Sequence, residues 1–396
     1  MKYFDEYRDA AIAQQLIERI RQLSADGVSD NRINANNVNR NRLTTNKAGG
    51  SGVSADRASG NRKVRFMEVC GSHTVAIYKA GIKGLFPDID LISGPGCPVC
   101  VTSTRDVDRT ILLAGMPGTI VTTFGDMIRV PGSSSSLQKE ISQGADVRIV
   151  YSPPDALRIA RENPAKKVVF LAVGFETTAP TIAATILQAE KEGCENFSII
   201  SYHKVIPPAM KILLAGEEVR IDGFICPGHV SIVIGAKPYE FIPQEYHLPA
   251  VITGFEPLDI LQALLMLMVQ IKEERPCVEN QYSRVVKPEG NPLAVQKLNE
   301  VFQPADAEWR GLGVIPKSGL ALRERFEKYD AMRQFDLSVE ERPEPPGCQC
   351  GLILKGLKKP VECPLFGRSC NPQHPVGPCM VSAEGSCAAA YKYGRK

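Results

Sequence analysis

Val168-Val-Phe-Leu-Ala-Val173, followed by Gly174-Phe-Glu-Thr-Thr178-Ala-Pro180, decides the fold class. Six apolar residues in a row, rich in β-branched side chains, predict a strand covered on both faces. The turn after it carries glycine, and Pro180 opens a stretch of helical character over 180–192. The same phrase recurs along the chain. Runs rich in Val, Ile and Phe lie at 64–69, 89–93, 119–123, 147–151, 168–173, 197–202, 222–226 and 249–254. Helical segments such as 104–115, 153–163, 180–192 and 207–218 separate them. This alternation predicts an α/β protein built on parallel sheets, as two Rossmann-like halves meeting near 145–165.

The flanks are of different character. Apolar positions at Phe4, Tyr7, Ile12, Leu16, Ile20 and Leu23 predict an amphipathic helix in a leading region, 1–29. Residues 30–62 are rich in Asn, Gly and Ser and nearly devoid of apolar side chains, so they read as a disordered insert. The first α/β domain is expected over 63–150 and the second over 151–255. A helical connecting region follows at 256–343, with helices over 256–275 and 291–302. The sequence ERPEPPG at 341–347 cannot hold a helix or a central strand, and leads into a cysteine-rich domain over 344–396.

Composition excludes several classes. The 396 residues carry 47 Lys and Arg against 44 Asp and Glu, a net charge of +3 that does not suit a dedicated nucleic-acid binder. The most apolar run, 260–271, is too short to span a bilayer. Met1 to Arg8 is charged and no apolar core follows it, so a cytoplasmic location is expected. Of the 12 cysteines, six fall in the last 49 residues: Cys348, Cys350, Cys363, Cys370, Cys379 and Cys387. Without an export signal, such clustering points to metal, cluster or redox chemistry rather than structural disulfides.

Nearly every expected strand runs into a polar or Gly-rich turn with an ionisable residue. The turns are Cys70-Gly-Ser-His73-Thr74, Gly94-Pro-Gly-Cys97-Pro-Val-Cys100, Phe124-Gly-Asp126, Gly174-Phe-Glu176-Thr-Thr178, His203-Lys204, Cys226-Pro-Gly-His229 and Gly254-Phe-Glu256. Ligands bind at the carboxyl ends of strands in open α/β sheets, so these turns predict one composite cleft. Cys97 and Cys100 have the spacing of a redox pair or of half a metal site. Cys70 and His73 are a thiolate and an imidazole suited to iron or zinc. Glu176 is either a ligand-facing group or a carboxylate complementing a helix start. Zinc or an iron–sulfur cluster could staple the tail, which has no paired C-x-x-C knuckles; a four-ligand cluster would leave two of the six thiols for a dithiol or disulfide.

These motifs, together with Cys363-Pro-Leu-Phe366 and Gly377-Pro-Cys-Met-Val-Ser-Ala-Glu-Gly385, resemble the HypD family of [NiFe]-hydrogenase maturation proteins. The resemblance covers 1–22 and 63–396; the Asn-rich stretch departs from it. It implies two α/β domains and a C-terminal [4Fe–4S] domain. It also implies a scaffold role: with the small chaperone HypC, the protein holds the Fe(CN)2CO unit during assembly. HypE, charged by HypF, supplies the cyanide groups before transfer to the hydrogenase large subunit. On this resemblance Cys70 is the main thiolate ligand of the iron, and the N-terminal cysteine of HypC is its co-ligand. His73 orients the site. Cys97 and Cys100 are a redox pair and additional iron ligands. Four of the six tail cysteines bind the cluster. The competing expectations are an iron–sulfur thiol–disulfide reductase acting on a protein substrate, and a structural zinc protein.

Overall fold

The computed structural model describes residues 9–25, 62–216, 218–340 and 342–394. The insert expected at 30–62 lies outside the described residues except for Arg62. Among the described residues there are eleven strands: β1 (Val64–Glu68), β2 (Ile89–Ser93), β3 (Thr119–Thr123), β4 (Val147–Ile149), β5 (Lys167–Ala172), β6 (Phe197–Ser201), β7 (Gly223–Pro227), β8 (Ala250–Thr253), β9 (Val278–Asn280), β10 (Phe302–Trp309) and β11 (Gly313–Leu322). All eight strands expected from the apolar runs are among them, as β1 to β8.

Two parallel sheets form. The first has the order β2-β1-β7-β8-β9 and the second β4-β3-β5-β6. Sheet membership therefore does not follow the boundary expected at 145–165, which falls between β4 and β5 inside the second sheet. The chain starts the first sheet, builds the whole second sheet, then returns to finish the first. β1 lies in the interior of its sheet, with Phe66 opposite Leu91 of β2 and Gly223 of β7. Local apolarity shows that a strand is buried; it does not show which distant strand lies beside it.

Helices cover the sheets as the alternation requires. Pro257–Lys272 is apolar nearly all round because it is covered from two sides. Its Ile260, Leu264 and Leu267 pack with Ile20 and Leu23 of the helix Ala10–Ala25 and with Phe66, Ile225 and Val251 of the first sheet. The connecting region is not all helical, which corrects the expectation for 256–343. Pro292–Val301 is a helix, but β10 and β11 form an antiparallel hairpin. Trp309 anchors it, fully buried, with Nε1 donating to Ser318 Oγ at 2.8 Å. The hairpin docks on the stretch after Cys100: Arg310 N donates to Val101 O at 2.9 Å, and its Nε to Thr102 O at 2.9 Å.

The cysteine-rich tail shares its core with the rest of the chain. Ile353, Leu354, Met380 and Val381 belong to the same buried cluster as Met67, Val69, Ile92 and Val121. A segment with so few apolar residues gains its packing from the sheets it lies against.

Candidate functional site

β1 ends at the feature that organises the site. Cys70 caps the helix Gly71–Lys79 in an extended conformation. Its sulfur faces the backbone N–H groups of Ser72 and His73, as a thiolate at a helix start would. Burial, then the nearby Glu384 and Glu68 carboxylates, outweigh those donors and push the thiol up to about 12. The thiol is therefore protonated at neutral pH, and any metal ligated there would have to displace its proton. Beneath it, buried Glu68 accepts the Cys70 N–H at 3.2 Å and the Thr74 hydroxyl.

The Gly94-Pro-Gly96 turn after β2 fits against this strand end. Gly71 N donates to Gly96 O at 2.8 Å. A Cβ on Gly96 would collide with the backbone nitrogen of Cys70, so only glycine allows the approach. Cys70 thereby lines a cleft of about 490 Å³. Its walls include turns of both sheets, at Gly96, Pro98, Phe124, Asp126, Gly174, Thr177 and His229. Five of the seven expected turns thus meet in one cavity, and the tail adds Glu384.

His73 does not line the cleft. It is fully buried, and its Nε2 lies 3.0 Å from Gly254 O and 3.2 Å from Thr253 O. Two carbonyls require Nε2 to carry the proton, leaving a buried lone pair without a partner on Nδ1. His73 stacks on Phe255 at 4.6 Å between centroids, and His229 stacks on the same ring at 4.0 Å. The Gly254-Phe-Glu turn thus supports the site through His73 and His229. Glu176 is also turned inward. Its neighbours line the cleft, while its buried carboxylate accepts the Ile206 N–H at 2.9 Å and holds the start of the helix Ile206–Ala215.

Cys97 and Cys100 are buried and face the tail rather than the cleft, which Pro98 and Val99 line in their place. Cys97 Sγ accepts the Cys100 N–H at 3.3 Å, and the two sulfurs are 2.6 Å apart. Cys100 Sγ lies 3.9 Å from Pro378 O. Beyond it, Cys379 meets the thiols of both Cys100 and Cys350, whose hydrogen bonds hold it below the usual thiol range. Cys348, Cys350, Cys363, Cys370 and Cys387 surround a small pocket with Ile353, Leu365 and Phe366. Gly377 completes it: a Cβ there would lie 2.6 Å from Cys350 Sγ and 2.7 Å from Cys348 Sγ. The converging thiols and the space kept by Gly377 fit a thiolate-held cluster. Among the described residues, no three His, Cys, Asp or Glu side chains are gathered for a single ion.

Three further groups stand on the cleft. Glu384 accepts the Ser72 hydroxyl at 2.6 Å, and Asp126 accepts that of Ser382 at 2.8 Å. Tyr151 stands at the cleft almost fully exposed. Glu384 had a signal: it is the one ionisable side chain, cysteine aside, in the 377–385 motif.

Known proteins decide what the site belongs to. The HypD family model, described as the hydrogenase formation hypA family, matches residues 52–394. The chain belongs to the HypD family. It is 46% identical to hydrogenase maturation factor HypD of Azotobacter vinelandii, over 100% of this chain and 98% of that protein. It is 44% identical to HypD of Escherichia coli, over 99% of this chain and 98% of that one. It is 43% identical to HypD of Cupriavidus necator, over 100% and 98%. As a HypD protein it is a hydrogenase maturation factor. Among the described residues no helix is long and apolar enough to cross a membrane.

Proposed function

We propose that this chain is the scaffold on which the Fe(CN)2CO unit of a [NiFe]-hydrogenase is assembled, in the cytoplasm. The observation that carries the reading is Cys70, the only cysteine lining a cleft made by turns of both sheets. One protein thiolate leaves iron positions open for the strong-field ligands and for a co-ligand thiol from a partner, which suits the N-terminal cysteine of HypC. HypE, charged by HypF, is the cyanide donor on this reading, and the hydrogenase large subunit receives the product. His73 and His229, clamped on Phe255, fix the wall of the cleft. Glu68 holds the Cys70 backbone.

A [4Fe–4S] cluster held by Cys348, Cys363, Cys370 and Cys387 would supply electrons one at a time and leave Cys350 and Cys379 as a thiol pair. The residues between that pocket and the cleft can exchange a disulfide. The Cys379 thiolate attacks Cys100 of a Cys97–Cys100 disulfide, and Cys97 leaves as thiolate. Cys350 then attacks Cys379, closing Cys350–Cys379 and releasing Cys100. Two electrons pass from the tail pair to the C-x-x-C pair. Burial of Cys97 and Cys100 weighs against the alternative of a reductase for a diffusible protein substrate.

The test is an infrared spectrum of protein purified without oxygen from cells that also make the small chaperone. Bands of iron-bound cyanide and CO are expected, and Cys70→Ala should lose them while retaining tail iron and sulfide. A Cys70→Ala protein that keeps the bands would refute the assignment.

A further inference from the structure

The His203-Lys204 turn after β6 takes no part in the cleft. It lines a second cavity of about 320 Å³, between the helix Thr104–Ala114, the end of β6 and the β10–β11 hairpin. No residue is shared between the two cavities.

The second cavity gathers buried polar groups with unused hydrogen-bonding capacity. Lys204 is 2% exposed, and its Nζ lies 3.7 Å from Asp106 Oδ2, beyond ordinary hydrogen-bond length. Arg109 reaches Asp106 Oδ1 through Nη1 at 3.2 Å, but its Nε–H is buried without a partner. His203 is 1% exposed. The Ser201 hydroxyl donates to Leu320 O at 2.5 Å, so its proton is committed. The contact of 3.0 Å between Ser201 Oγ and His203 Nδ1 must then be donated by the ring. That leaves His203 Nε2 as a buried acceptor with no partner. Burial, then Lys204, push this imidazole down to about 3, so it stays neutral and keeps its lone pair near neutral pH.

The innermost charged groups are two cations, Lys204 and Arg109, and one carboxylate, Asp106. Asp106 offsets one of Lys204 and Arg109, and Arg105 pairs with Glu308 at 3.6 Å. Two further carboxylates line the cavity and keep their charge. Asp306 accepts the Lys317 N–H at 3.0 Å, and Asp330 accepts the Met332 N–H at 3.0 Å and faces Arg333. Among the three inner groups, Lys204, Arg109 and Asp106, the balance is one positive charge; Asp306 is exposed and Asp330 partly so, and water screens both.

We propose that this cavity binds a small oxyanion that also carries a hydroxyl group, of the class of bicarbonate and the phosphate monoanion. Its oxygens accept from Lys204 Nζ and Arg109 Nε, and its O–H donates to His203 Nε2. The volume leaves space for a short organic group attached to the anion.

The test is calorimetric titration of the full chain with sodium phosphate and, separately, sodium bicarbonate, against sodium chloride at matched ionic strength. Saturable one-site binding of either oxyanion, with none of chloride, is expected. Phosphate alone or bicarbonate alone identifies the class of ligand. Lys204→Met should weaken binding roughly tenfold or more, the worth of one charge-assisted hydrogen bond. Arg109→Gln is the second variant and should weaken it as well, while Cys70→Ala should bind as wild type. Titrations that show only dilution heat for both oxyanions would mean that the cavity holds water alone, and would overturn the proposal. So would wild-type affinity in both Lys204→Met and Arg109→Gln, or loss of binding in Cys70→Ala.

Discussion

Cys379 receives hydrogen bonds from the thiols of Cys100 and Cys350 and lies between the two cysteine pairs. On the proposed exchange route a thiol held low in this way would be the nucleophile of the junction, while burial and neighbouring thiols push Cys100 well up. In a Cys97→Ser, Cys350→Ser double variant, mild oxidation should therefore join Cys100 to Cys379. Peptide mass spectrometry without reductant would show the linked pair, and its absence would remove the exchange route. The sequence marked these cysteines, but not their order in space. The C-x-x-C spacing is equally that of a redox pair and of half a metal site; burial against Pro378 favours the redox role. Tyr151 was less legible because no local pattern marks it; it joins Cys70 on the cleft only through the fold.

At the scale of elements, the turn between β2 and the helix Pro98–Val101 is held to β1 by contact that only Gly96 permits. Gly96→Ala should force that turn off the Cys70 backbone. It should lower stability by about 1–3 kcal/mol, the usual cost of overpacking. It should also leave Cys70 reacting faster with a thiol reagent. An unchanged unfolding midpoint together with unchanged Cys70 reactivity would show that the turn can yield. The eight strands β1 to β8 could be read because each is an apolar run bounded by turn residues. The hairpin could not. Phe302–Trp309 carries Gln303, Pro304, Asp306 and Glu308, and its buried ends, Phe302 and Trp309, are too far apart to show alternation. β9 is three residues of partly buried chain, Val278–Asn280, and gives no local pattern.

At the scale of the whole molecule, Glu68 and Glu176 among the buried acids and the buried imidazoles of His73 and His203 make opposing proton demands. Burial raises Glu68 and Glu176 from 4.5 to about 7, so each stabilises most below 4.5, and that contribution is lost as pH rises through 7. Burial lowers His73 from 6.5 to about 4 and His203 to about 3, so their contribution is full above 6.5 and is lost as pH falls. Between about 4.5 and 6.5 the unfolded chain binds two protons on the histidines and the folded chain two on the glutamates. These four groups then leave stability nearly independent of pH. Glu176→Gln removes one folded-state proton and should make stability rise with pH there, by about 1.4 kcal/mol per unit relative to wild type. Urea midpoints across that range measure it; parallel profiles for the two proteins would show that Glu176 is ionised when folded. The order in which the chain builds its sheets has a consequence during synthesis. Cys70 is made before most of its surroundings: β7, which flanks β1, begins only at Gly223, and Glu384, which packs on Gly71, follows later still. An unfinished chain therefore displays the thiol without its walls. If Cys70 holds iron as proposed, a nascent or truncated chain would offer that metal an ordinary cysteine, and selective loading would wait until the tail had joined the cleft.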